Sequence, residues 1–180
     1  MLRSVAAIAA LLAACPAIGA DEKPVIVKAS GLSAEVPKEW KKEKPANLLR
    51  SYQFKLPTHD QTHADAEVAV FPESSSDAKK NFEKWKAQYA PPDDKKAEDV
   101  TKTDEFEHAG AKIHVLDIRG TWTYRERPND PKTEKILPEF RTIWVMIVAK
   151  EETTHVRLSG HTSVVEKYDA AFLKWIKSLK

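Results

Sequence analysis

The chain has 180 residues, 42% hydrophobic and 31% charged, with a formal net charge of +2. That is enough for one domain with a substantial core, and charges of both signs are interspersed, which argues against a nucleic-acid surface, where basic residues gather on one face. Cys15 is the single cysteine, so no disulfide framework exists.

Residues 1–20 read as a secretory signal. Arg3 supplies a positive start, Val5 to Ala14 is a short apolar run, and Pro16 and small residues lead to Ala20. The run is too short for a membrane anchor, and no later stretch has the length and apolarity to span. Two cuts stay open. Cleavage after Ala20 gives a periplasmic or secreted chain without a thiol, which removes thiolate catalysis and cysteine metal sites. Leu12-Ala13-Ala14-Cys15 instead resembles a bacterial lipobox, with lipid attached at Cys15 and the protein anchored in the envelope. Either cut exports residues 21–180, read as a single domain.

Pro24 to Ala29 and Leu32 to Pro37 read as short strands hinged at Gly31. The basic run Lys38 to Lys44 is interrupted by Glu39, Trp40 and Glu43 and reads as a solvated strand end. Leu48 to Pro57 reads as a strand whose even parity, Leu48, Arg50, Tyr52, Phe54 and Leu56, faces the core. In Ala66 to Pro72, Ala66, Val68 and Val70 oppose Glu67. Ser74 and Asp77 read as a capping box for a helix with a stripe of Ala78, Phe82, Trp85 and Tyr89, ended by Pro91-Pro92.

A hairpin follows, Val100 to Glu107 and Lys112 to Tyr124, turning at His108-Ala109-Gly110. Glu126 to Pro138, with three prolines, reads as a surface loop. Ile143 to Ala149 is apolar on both parities and predicts a central strand covered on both faces. A polar turn leads to a partner strand with Val156 and Leu158 on one face and His155, Arg157 and Ser159 on the other. Ser163 and Glu166 read as a second capping box, for a last helix with a stripe of Val165, Tyr168, Phe172, Trp175 and Leu179.

Five well-separated glycines leave no dinucleotide or phosphate loop, and no nucleophile elbow or His-Glu-x-x-His motif occurs. The metal-like cluster is His59, Asp60, His63 and Asp65, imidazoles and carboxylates at short spacing in a polar loop. Arg50, Glu67 and Asp117 form either a pocket or a structural ion pair, because an inward arginine needs a carboxylate partner.

Leu32-Ser33-Ala34-Glu35-Val36-Pro37-Lys38-Glu39-Trp40, Leu49 to Pro57 with Ala66-Glu67, Asn81-Phe82-Glu83-Lys84-Trp85 and Leu158-Ser159-Gly160 carry a resemblance to a family. The chain resembles exported bacterial proteins of unassigned function with a PsbP-like fold. That resemblance implies an α+β domain, an antiparallel sheet flanked by helices as an α/β/α sandwich. The fold includes an extrinsic subunit of the oxygen-evolving complex, a docking and ion-retention protein. The family's Gly-rich turn before the Asn-x-x-x-Trp helix is replaced here by Ser74-Ser75-Ser76. The family brings no established active site. The expectation is an exported, non-catalytic protein that binds or docks an unknown protein or small ligand of the envelope, without a cofactor. The alternatives are a metal-binding protein or metal-dependent enzyme using the 59–65 loop, and a structural envelope protein.

Overall fold

The computed structural model describes residues 23–58, 62–73, 75–125, 130–150 and 152–180. The signal, Cys15, His59, Asp60 and Ser74 therefore lie outside the described residues. The chain is mixed α+β. Its strands are β1 (Ile26–Ala29), β2 (Leu32–Glu35), β3 (Lys41–Glu43), β4 (Tyr52–Leu56), β5 (Ala66–Glu73), β6 (Tyr89–Ala90), β7 (Thr101–His108), β8 (Ala111–Arg125), β9 (Glu134–Val148) and β10 (Thr153–His161). Two helices, α1 (Ala78–Lys86) and α2 (Thr162–Ile176), accompany them. β1 and β2 form a separate hairpin, and the large sheet runs β3-β4-β5-β10-β9-β8-β6, with β7 beside the first part of β8.

The central strand is β9. Arg141 to Ile147 are all buried, as an element covered on both faces requires. Val145 stands in register with Val115, Val156 and, through β10, Val70, so one face is a continuous apolar layer. Onto it α2 lays Val165, Phe172, Trp175 and Ile176. Trp144 points to the opposite face, where Phe82 and Trp85 of α1 join it with Leu116. Trp85 stacks on Trp144 at 4.3 Å between ring centroids. Among the described residues, no helix is long and apolar enough to cross a membrane.

The helix starts differ from expectation. Asp77 itself caps α1, accepting the Lys80 amide at 3.0 Å, so the helix begins directly after it. The cap of α2 is His161, whose Nδ1 accepts the Ser163 amide at 3.4 Å. Ser163 lies inside the first turn, and Glu166 reaches Arg119 at 2.9 Å instead of closing a capping box. Tyr89 leaves the helix stripe. It pairs with Trp122 as β6, where the edge of β8 offers ladder partners that a further helical turn lacks.

The expected loop before Pro138 is partly strand, because β9 already starts at Glu134. A register shift between Gly120 and Trp122 sets Pro138 and Glu139 in a bulge, which accommodates a proline without a ladder hydrogen bond. Gly120 faces that bulge with φ +150°, and a Cβ there would sit 2.3 Å from the Ala90 carbonyl oxygen. Only glycine lets β6 approach so closely. Gly110, with φ +78°, follows Ala109 at +49°, the paired positive angles of a two-residue hairpin turn.

Candidate functional site

Arg50 is buried, but not as the strand parity suggested. β4 starts only at Tyr52, and residues 47–50 form a turn rather than a strand. Leu48 and Leu49 are therefore not core: they are 103% and 70% exposed. The turn also carries Arg50 to the sheet face of Gln53, opposite Phe54 and Leu56. There Arg50 Nη1 donates to Glu67 Oε2 at 2.6 Å and to Gln53 Oε1 at 2.7 Å.

The same Glu67 accepts from Arg157 Nη2 at 2.9 Å through its other oxygen. One carboxylate thus serves two guanidiniums whose side chains are 5% and 7% exposed. Aromatic rings complete the enclosure. Arg157 lies 5.5 Å from the Phe71 centroid and 5.2 Å from those of Trp122 and Trp144, all within cation–π range. Burial pulls the Arg157 pKa below its ordinary value and nearby Arg50 adds to this, while Glu67 opposes both. The guanidinium remains charged, since arginine does not deprotonate in proteins. Tyr89, hydrogen-bonded to the Thr142 hydroxyl, is a further, half-buried neighbour, and desolvation pushes its phenol pKa up.

Asp117 is not part of this cluster. It lies on the opposite sheet face, where Arg141 grips it with Nε and Nη2 at 2.9 and 2.8 Å and reaches Asp169 of α2 at 2.8 Å. Burial acts against the Arg141 charge, but the hydrogen bonds and charges of Asp117 and Asp169 outweigh it and raise the pKa. Arg50 and Glu67 are thus brought together as an ion pair, and Asp117 belongs to a second one. Sequence reading missed Arg157, Arg141 and Asp169 as partners. For Arg157 the available signal was a charge on a strand position between Val156 and Leu158; Arg141, between Phe140 and Thr142, and Asp169, on α2, carry no such signal.

The Arg50 network reaches the exposed turn. Gln53 Oε1 also accepts the Ala46 amide at 2.8 Å, and Gln53 Nε2 donates to Glu43 at 3.2 Å. Asn47 Oδ1 takes the Leu49 amide at 3.0 Å. The segment 46–50 is therefore tied at both ends to buried polar groups, and it presents Leu48 and Leu49 to solvent from that base.

The described half of the metal-like loop is engaged elsewhere. Asp65 accepts the Thr58 amide at 2.7 Å, and His63 stacks on His161 with centroids 3.6 Å apart and planes 11° from parallel. Imidazole lone pairs lie in the ring plane, so two parallel rings in this stack do not converge on one ion. Among the described residues, no group of three or more His, Cys, Asp or Glu side chains is placed to hold a metal.

His155 shares the Arg157 face. Its ring meets Trp85 edge-on at 4.7 Å, and Nε2 is buried without a hydrogen-bond partner. Burial pulls its pKa from 6.5 to about 4; Glu73 opposes the shift and Lys84 adds to it. A protonated ring would bury an unpaired N–H, so the folded state keeps it neutral. The unfolded chain takes up a proton below about pH 6.5 and the folded chain does not, so stability falls as pH drops towards about 4. The expected loss approaches about 3 kcal/mol, since each tenfold difference in proton affinity between the two states is worth about 1.4 kcal/mol. Unfolding titrations of the natural chain and His155→Phe should diverge by that amount across the window. Parallel profiles would show that His155 takes up its proton in the fold as readily as in the unfolded chain, and would contradict the shift.

No family model matches the chain, and no curated protein matches it. Among solved structures it is similar to a Pseudomonas aeruginosa protein of unknown function, at 15% identity and a TM-score of 0.49, over 88% of this chain and 97% of that one.

Proposed function

We propose that this chain is an exported, non-catalytic docking protein with a PsbP-like α/β/α sandwich, and that residues 46–50 are its contact point. One observation carries the reading. Leu48 and Leu49 stand exposed on a turn whose flanks are hydrogen-bonded to a buried ion network. Scattered exposed leucines need no explanation, but an adjacent pair held this way presents apolar surface in a fixed place. The ionisable groups beneath suit holding rather than proton transfer: Glu67 is shared by two arginines and His155 stays neutral. The Arg3, apolar run and Ala20 layout supports export, and the order of strands and helices supports the sandwich.

Photo-crosslinking in the native envelope tests the reading. A photoreactive residue at position 48 should give a discrete adduct. The same residue at Ile136, an exposed apolar position on β9, should give none. Equal labelling at both positions, or none at 48, contradicts the proposal.

A further inference from the structure

The chemistry around the turn points to its occupant. Lys41, Lys42 and Lys44 precede it on and beside the edge strand β3, and all three are exposed. Lys38 is exposed as well, with Glu39 as the one exposed carboxylate between it and the turn. Glu43 is partly shielded and paired with Lys55 at 3.1 Å. Lys41 and Lys42 project to opposite faces of β3, so the sheet edge leading to Leu48 and Leu49 carries cations on both sides.

Protein interfaces centre on Trp, Tyr and Arg anchors, with leucine and lysine under-represented. Here the nearby Trp40 and Arg50 are buried and Tyr52 is half-buried, so none of them is presented as an anchor. Apolar side chains at a projecting turn, bordered by lysines, match the two-part chemistry of peripheral membrane binding. Apolar groups enter the acyl boundary and lysines meet anionic headgroups. We infer that the turn at Leu48–Leu49, with Lys41, Lys42 and Lys44, docks the protein on an anionic lipid surface. This inference rests on the docking reading and names its occupant.

The test uses residues 21–180, the exported domain, which lacks both the apolar run Val5–Ala14 and Cys15 and so carries no second anchor, with vesicles of phosphatidylcholine alone or mixed equally with phosphatidylglycerol. The protein should co-sediment with the mixed vesicles and far less with the neutral ones. Leu48→Ser with Leu49→Ser should weaken partitioning on the order of tenfold or more. Each of Lys41→Gln, Lys42→Gln and Lys44→Gln should weaken it about fivefold, an effect that salt screens. Ile136→Ser should leave it unchanged. Both leucines are exposed, so their loss is not confounded by unfolding. Unchanged binding by the double leucine variant overturns the inference, as does no binding to mixed vesicles. In the latter case, a protein adduct from position 48 keeps the docking reading and replaces lipid with protein. Absence of any adduct ends both.

Discussion

Glu67→Ala is expected to cost about 3–5 kcal/mol, because it leaves two buried guanidiniums facing one another without a counter-charge. Arg50 and Arg157 have side chains 5% and 7% exposed, so solvent does not replace the lost carboxylate. The rings around Arg157 supply part of its stabilisation, but a quadrupole does not neutralise two cations. The loss is a large fraction of the usual 5–15 kcal/mol of a domain. Replacing both arginines as well, Arg50→Met and Arg157→Met in the Glu67→Ala chain, should recover much of it, since apolar side chains of similar volume tolerate the site better than orphaned charges. Urea denaturation of the natural chain, the single variant and the triple variant measures this directly. Additive costs, with the triple variant the least stable, would reject the coupling.

Trp175→Ala should cost a similar 3–5 kcal/mol, through a large cavity rather than a charge. The indole is 3% exposed, donates Nε1–H to the Glu35 carbonyl at 3.0 Å and meets Trp40 edge-on at 5.1 Å. It therefore ties α2 to the β1–β2 hairpin and to the segment before β3. A denaturation midpoint that does not move would show that α2 is held by other contacts.

Legibility in the sequence followed the range of the forces involved. The unbroken apolar run from Ile143 to Ala149 revealed the doubly covered strand, because a short run apolar on both parities and bounded by a polar turn has few other solutions. The Val165, Phe172 and Trp175 stripe revealed the last helix for a similar reason. Parity counting failed at Arg50, where it ran through the turn at 47–50 and placed the side chain on the wrong face. Pro45-Ala46-Asn47, with two turn-favouring residues, was the unused signal. Asp117 was grouped with Arg50 because face assignment across distant strands depends on register, and a one-residue change reverses it. The Arg157 enclosure was not legible, since its rings come from β5, β8 and β9, and only the sheet order places them together.

The central claim is that Leu48 and Leu49 are exposed because the fold holds them so. Backbone order parameters of residues 46–50 in the free protein test it most directly. Amides of Leu48 and Leu49 should give values near those of the sheet, about 0.85. Values below about 0.6 would mean that the leucines are exposed because the segment is loose, and would contradict a preformed docking turn.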